Sequence, residues 1–170
     1  SNNTSLADQR LSTIATQITA AQERKNTALS RAALIRGMIE QGQPIDGVAD
    51  VRDSVVIQQL SQEKARLQGE KAQRSATLLG NHPTIQALTA QIAELNNQIS
   101  LEGRRVADAL EAEAQIEAGL ETSLQADLTR AKSSASTATQ DTVTLDSLER
   151  DATAQRNLLE GYLQRYSEAV

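Results

Sequence analysis

The chain has 170 residues and contains two tyrosines but no phenylalanine, tryptophan or cysteine. A globular domain of this length normally has many more aromatic side chains, whereas Leu, Ile, Val and Ala suit narrow seams between helices. The net charge of −5 and the scarcity of aromatics argue against nucleic-acid binding, and the lack of cysteine excludes disulfides and thiolate chemistry. With two prolines and eight glycines in all, the composition predicts an elongated, all-α protein.

The first helix is predicted over residues 5–41, with Thr4 or Ser5 as its N-cap. Its apolar side chains recur in alternating steps of three and four residues, which is the spacing of a coiled-coil seam. The predicted seam positions are Leu11, Ile14, Ile18, Ala21, Lys25, Ala28, Ala32, Ile35 and Ile39. The helix is expected to end near Gln41–Gly42.

A loop rich in Gly, Pro and Asp follows, and a second helix is predicted over residues 53–79. Asp50 or Asp53 is the expected cap of this helix. Its seam is weaker because three of its positions hold Lys or Arg. The predicted seam positions are Val56, Leu60, Lys64, Leu67, Lys71, Arg74 and Leu78.

The chain is predicted to turn at residues 80–83. Gly80 can adopt the left-handed conformation that ends a helix, and Pro83 fits the first turn of a new one. These residues therefore predict the tip of an antiparallel hairpin, where His82 caps or packs the turn. A lone histidine lacks the partners of a metal site.

A long descending helix is predicted over residues 84–169, kinked or broken near residues 133–140, where Ser, Thr and Ala make a poor helix. Its first seam is predicted at Ile85, Leu88, Ile92, Leu95, Ile99, Glu102, Val106, Ala109, Glu113, Ile116 and Leu120. The four-residue steps from Leu120 to Leu124 and Leu128 predict a stutter there. The final seam is predicted at Leu145, Leu148, Ala152, Gln155, Leu159, Tyr162 and Tyr166.

Helix lengths favour two arms of similar length. At ~1.5 Å per residue, the first two helices total about 95 Å and the long helix about 129 Å, and the loop between the first two would supply much of the difference. This arrangement predicts that Leu60 faces the neighbourhood of residue 103 and that Leu11 lies near Leu159, with Tyr162 packed against the first helix. The alternative is a four-helix bundle with a break at residues 133–140.

No residue is predicted to be catalytic, to ligate a metal or to bind a cofactor. Glu113 and Glu117 share one helix face, but a narrow coiled coil has no pocket that would separate their pKa values. The acidic stretch around them and Arg104–Arg105 are interpreted as solvated charges, although the arginines could also contact an anionic glycan.

No apolar run is long enough to span a membrane, and no signal peptide is visible. The chain starts without Met and stops within a helical pattern. We interpret it as one helical coiled-coil domain, residues 1–170, excised from a longer protein.

Two stretches carry a more specific pattern. The first runs from Val56-Ile57-Gln58-Gln59-Leu60 to the tip Leu79-Gly80-Asn81-His82-Pro83 and on to Ile85 and Leu88. The second runs from Leu145-Asp146-Ser147-Leu148-Glu149-Arg150 to Tyr162-Leu163-Gln164-Arg165-Tyr166. Together they resemble the periplasmic helical region of polysaccharide co-polymerases, the chain-length determinant and exopolysaccharide transport proteins. The residues that carry the resemblance are Leu79, Gly80, His82, Pro83, Leu148, Glu149, Arg150, Leu159, Tyr162 and Arg165.

The resemblance covers about residues 53–169, and the first helix fits only by pattern. Tyr162 stands where the family pattern has Leu, and Gly161 departs from it too. It implies a periplasmic segment of an inner-membrane protein that forms homo-oligomeric rings. Its partners would be a growing polysaccharide, the polymerase and an outer-membrane exporter. Some family members add a tyrosine-kinase domain, but no GxxxxGK[ST] phosphate-binding motif is present here.

Two other interpretations stay open. The chain could be the helical hairpin of a periplasmic adaptor protein of an efflux or secretion pump. It could also be a coiled-coil scaffold that binds partner helices in the cytoplasm. All three interpretations predict that this segment is not itself an enzyme, although the parent could carry a cytoplasmic tyrosine-kinase domain.

Overall fold

The computed structural model describes residues 2–169, apart from the side chains of Asn3, Thr4 and Ala169. Its helices are α1 (Asn2–Glu40), α2 (Ala49–Arg52), α3 (Val55–Ser75) and α4 (Pro83–Ala169). Helices α1 and α4 pack antiparallel, and the described residues form no strand. The predicted fold class is confirmed. The chain divides into two units, Ser1–Ala20 with Glu121–Val170, and Ala21–Leu120.

Helix α1 buries the side chains that its heptad spacing predicts. The buried members of the predicted seam are Ile14, Ile18, Ala21, Ala28, Ala32 and Ile35. The helix begins at Asn2, so Ser5 lies within it and is not the cap. The side chain of Thr4, the other predicted cap, lies outside the described residues.

Helix α1 ends as predicted, through a glycine. Gly42 has a φ of +69°. Its N–H donates to the carbonyl of Ile39 over 3.1 Å, and the N–H of Gln43 donates to the carbonyl of Met38 over 2.8 Å. This pair of bonds is the Schellman motif, in which a left-handed residue lets the chain satisfy the last helical carbonyls and turn away.

The segment between α1 and α3 folds inward onto the helices. Ile45 and Val51 are buried, with exposed fractions of 3% and 0%. They belong to a cluster that we call the junction core, whose members are Ala32, Ile35, Ile45, Val51, Ile57, Ile99, Ala107 and Leu110. Leu60 packs on this core. The core residues Ile99 and Ala107 of α4 lie on either side of residue 103, in agreement with the prediction that Leu60 faces the neighbourhood of residue 103.

The predicted caps of α3 are wrong. Ser54 is the N-cap, and its hydroxyl accepts a hydrogen bond from the N–H of Ile57 over 3.3 Å. Asp53 ends α2 and Asp50 lies in its first turn, where its carboxylate pairs with Arg31. Because the short α2 precedes it, α3 begins at Val55, two residues after the predicted start at residue 53.

Two details of α3 also differ from the prediction. Ile57 is buried whereas Val56 is 44% exposed, so the seam starts one residue later. The helix ends at Ser75 and not at residue 79, with Ala76 in a right-handed conformation. Gly80 has no positive φ, because the last carbonyl bonds are made by Thr77 and Leu78 to Arg74 without a left-handed residue.

Helix α4 is continuous from Pro83 to Ala169. The Ser/Thr-rich stretch at residues 133–140 therefore does not break it, and the four-helix alternative is wrong. The hydroxyls of Thr139 and Thr142 each donate to the carbonyl four residues earlier, over 3.0 Å. These bonds satisfy the hydroxyls within the helix, where they do not compete for another backbone conformation.

The seam of α4 changes phase where it meets the junction core. Beyond Ile99 the covered positions continue through Gly103, Ala107 and Leu110, with two consecutive four-residue steps. The predicted continuation is therefore wrong, and Ile116 is 71% exposed. The stutter lies here and not at Leu120–Leu128, because the inward-folded Ile45 occupies the space beside Gly103.

The predicted pairing of Leu11 with Leu159 is wrong. Within the unit Ser1–Ala20 with Glu121–Val170, the start of α1 lies along a groove that includes Ala131 and Ala138. Every residue from 139 to 168 except Gly161 is exposed. The prediction counted residues 42–52 as added length of the ascending arm, whereas this segment folds onto the junction core.

Candidate functional site

The residues that carry the family resemblance fall into two regions. One is the turn between α3 and α4, and the other is the last part of α4. The two regions belong to different units of the chain, and each is described separately.

At the turn, His82 caps α4. Its Nδ1 accepts a hydrogen bond from the N–H of Thr84 over 3.1 Å, and its carbonyl accepts from Gln86 over 3.0 Å. Pro83 is the first residue of the helix, where a missing N–H costs nothing. The predicted capping role of His82 and the predicted position of Pro83 are confirmed.

The turn presents one large apolar side chain to solvent. Leu79 is 77% exposed, next to the exposed residues Gly80, Asn81 and His82. Among the described residues no cluster of three or more His, Cys, Asp or Glu side chains could hold a metal ion. Leu79 is therefore an exposed apolar side chain among polar neighbours.

The second region is an apolar stripe on α4 that we call the open face. It consists of Leu145, Leu148, Ala152, Gln155, Leu159, Tyr162 and Tyr166, all exposed. The predicted packing of Tyr162 against α1 is wrong, since 59% of this residue is exposed. Glu149 and Arg165 are also exposed and flank the stripe, whereas the exposed Arg150 lies on the opposite side of the helix.

The acidic stretch of α4 is partly neutralised by α1. Arg36 donates to Glu111 and Asp108, each over 2.5 Å. These hydrogen bonds, that to Glu111 first, raise the pKa of the guanidinium above its ordinary value. Arg24 lies 3.1 Å from Glu117. The prediction of a solvated acidic face therefore holds for Asp108 and Glu113, which are exposed, but not for Glu102 and Glu117, which are partly covered.

The carboxylate pair considered for catalysis does not form a pocket. Glu113 is exposed, whereas Glu117 is partly covered and paired with Arg24. Arg104 and Arg105 are both exposed, and Arg105 lies 3.4 Å from Glu102 on the same helix.

One concave feature was not predicted. A cleft of about 350 Å³ lies between the loop after α1 and the middle of α4. Its polar lining includes Asp46, Lys64, Asn96 and Asn97. The adjacent asparagines, polar residues beside a seam, are the sequence signal that could have pointed to it.

Comparisons with protein-family models, with curated proteins and with solved structures give no match. Within residues 2–169, no helix combines the length and the apolar character that crossing a bilayer requires.

Proposed function

We propose that this chain is the periplasmic helical hairpin of an inner-membrane protein of polysaccharide co-polymerase type. The parent would control the chain length of exopolysaccharide or lipopolysaccharide and pass it to an exporter. The role of the hairpin is mechanical: it acts as a rigid spacer that associates with other copies in the parent and positions the path of the glycan.

The observation that carries this proposal is the place of the family-like stretch Leu79-Gly80-Asn81-His82-Pro83. It forms the turn that leads into α4, which is where the resemblance requires a hairpin tip. The antiparallel packing of α1 and α4 and the composition, which suits helix seams and not a catalytic pocket, are further support.

The decisive experiment removes the codons for residues 1–170 from the parent gene in the source bacterium and measures the polysaccharide by size-exclusion chromatography. We expect loss of the polymer or a changed chain-length distribution, restored by the intact gene. Normal polysaccharide with increased sensitivity to exported drugs would contradict the proposal and favour the pump-adaptor hairpin. Normal behaviour in both assays would favour the general scaffold.

The location can be tested separately, because these 170 residues contain no cysteine. Asn81→Cys places a single thiol at the exposed turn. In cells with a permeabilised outer membrane and an intact inner membrane, we expect this thiol to react with a membrane-impermeant maleimide. The unsubstituted parent is the control for labelling elsewhere, and labelling of Asn81→Cys only after cell lysis would place the segment in the cytoplasm.

A further inference from the structure

The cleft beside the loop after α1 is built from three separate parts of the chain, all within the unit Ala21–Leu120. Its walls are the loop at residues 42–46, the middle of α3 at Lys64 and the middle of α4 at residues 96–100. Its lining also includes Ile45 and Ile99, which are 3% and 5% exposed and belong to the junction core. Because the core fixes both isoleucines, the cleft exists without a ligand.

Polar side chains line the cleft, and the fold leaves their hydrogen-bonding groups unpaired. They are Gln43, Asp46, Lys64, Asn96, Asn97 and Ser100. Within the part of the chain that the structure describes, none of these side chains makes a hydrogen bond or an ion pair. Asp46, Lys64 and Ser100 are partly covered, and polar groups that are withdrawn from water need hydrogen-bond partners. The cleft therefore presents donors and acceptors to a bound molecule.

The packing of α3 does not explain its lysine in the cleft. Lys64 occupies a seam position between Leu60 and Leu67, where an apolar side chain would stabilise the contact between helices better. A lysine at such a position lowers the stability of the seam. This cost has a reason if the ammonium group binds a ligand.

The chemistry of the lining favours a sugar. Amide, hydroxyl, carboxylate and ammonium groups together donate to and accept from hydroxyls, and the isoleucine side chains suit the C–H face of a pyranose ring. One ammonium and one carboxylate balance each other and favour an uncharged ligand. Among the described lining residues there is no aromatic ring on which a nucleic-acid base could stack, and a single carboxylate is too little for a calcium site.

The size of the cleft fits a short piece of glycan. Its volume of about 350 Å³ lies in the lower part of the range of small-molecule sites, about 300–1,000 Å³. At ~30 Å³ for each water molecule, this is the space of about a dozen waters, or of roughly one or two sugar rings.

We propose that the cleft binds a neutral segment of a glycan chain. The side chains of Asn96, Ser100 and Lys64 bond to the sugar hydroxyls, and Ile45 lies against the ring. The choice of a glycan among polyhydroxylated molecules rests on the proposed function, whereas the cleft itself does not. In like-oriented copies of the parent the clefts lie at one level, about 20–25 Å from Pro83 along α4. Weak sites repeated at one level hold a long polymer while each sugar unit exchanges rapidly.

A nuclear magnetic resonance titration of the isotope-labelled 170-residue chain tests the binding. The probes are maltose, cellobiose, lactose and mannobiose, together with short oligosaccharides released by mild acid from the polysaccharide of the source bacterium. Glycerol is the polyol control. We expect a saturable response to at least one sugar with a Kd of about 1–10 mM, confined to residues 42–46, Lys64 and residues 96–100. No response, a response spread over the chain, or equal affinity for glycerol would overturn the proposal.

Two amide truncations test the position of the site. Asn96 and Gln98 are both exposed on α4, but only Asn96 lines the cleft, whereas Gln98 donates to Glu94 over 3.4 Å. Asn96→Ala should raise the Kd about five- to tenfold because hydrogen bonds to the sugar are lost. Gln98→Ala should leave the Kd unchanged. Equal effects of the two variants, or no effect of Asn96→Ala, would exclude the cleft as the binding site.

The role of the lysine can be separated from its effect on folding. Lys64→Met keeps an unbranched apolar side chain and removes the ammonium group. It should raise the Kd at least about tenfold, while the thermal stability stays the same or increases because the seam of α3 gains an apolar residue. Weaker binding by a protein that is at least as stable is a result that a purely structural lysine would not give. Unchanged binding would overturn the role assigned to Lys64.

The sugar site and the proposed function can fail separately. A changed polysaccharide after deletion of residues 1–170, with no sugar bound at the cleft, would overturn the site and leave the function standing. Sugar binding that Asn96→Ala weakens, with normal polysaccharide after the deletion, would overturn the function and leave the site standing.

Discussion

The junction core and the open face of α4 contain the same kinds of apolar side chain but differ in what covers them. In the junction core Ile35, Val51 and Ile57 are 0–1% exposed, because the segment before α3 folds over α1 and α4. On the open face Leu145 and Leu148 keep 60% of their surface exposed. Heptad spacing therefore marks a face that can pack, whereas burial depends on a further element that reaches it.

The largest expected difference comes from one truncation in the junction core and one at an exposed position of α4 near the open face. Val51→Ala should lower the free energy of unfolding by about 2–3 kcal/mol, because it removes two methyl groups from a site with no exposed surface. Val143→Ala should change it by less than about 0.5 kcal/mol, since Val143 is 63% exposed. Urea denaturation followed by circular dichroism measures both, and equal losses would remove the distinction between the regions.

Gly103 lies beside the junction core, and Gly161 lies next to Tyr162 of the open face. A Cβ at Gly103 would overlap Cδ1 of Ile45 and lie 3.2 Å from Cδ1 of Ile39, whereas one at Gly161 would meet nothing within 4 Å. Gly103→Leu should therefore cost about 2 kcal/mol by overpacking the junction core, despite the better helix propensity of Leu. Gly161→Leu should increase helix content in circular dichroism. If the Gly103→Leu variant were more stable than the original protein, Ile45 would have to move aside without a cost in free energy.

Substitutions at the turn after α1 should change the stability by a smaller amount. Gly42 has a φ of +69°, a conformation that is unfavourable for residues with a Cβ, so Gly42→Ala should destabilise the protein by about 1 kcal/mol. Gly37 lies inside α1, where an added Cβ would meet nothing within 4 Å. Gly37→Ala should therefore stabilise by about as much. Opposite signs in thermal denaturation are the expected result, and equal signs would contradict a left-handed turn at Gly42.

Surface charge should have the smallest effect. The hydrogen bond from Arg66 lowers the pKa of Glu63 below its ordinary value of 4.5. The stabilisation from this pair is therefore present above pH 4.5 and is lost as the pH falls through the lowered pKa. Glu63→Gln should remove this part of the acid dependence and change neutral stability only slightly. A large loss at pH 7 would mean that ion pairs, more than burial, set the stability of α3.

Sequence patterns alone determined much of the local structure. The all-α class followed from composition, and the buried residues of α1 followed from the steps of three and four. The end of α1 at Gly42 and the start of α4 at Pro83 followed from backbone chemistry that is confined to one or two residues. Such features depend on short stretches of chain, which is why they can be read without knowing the rest of the fold. The capping role of His82 belongs to the same class.

Only the tertiary structure decided which stretches lie side by side. If two helices slide past each other by seven residues, their heptad seams still face each other. The spacing therefore showed that Leu11 lies on the packing face of α1, but not which residue of α4 lies opposite it. The register depends on residues 42–52, which bury Ile45 and Val51 and so do not lengthen the arm. The phase change after Ile99 has the same cause. Gly103 has no side chain, so Ile45 fits beside α4 at a position where a continued heptad pattern would place a side chain that packs against another helix. Burial by a distant segment leaves no periodic signal in the helix that it covers.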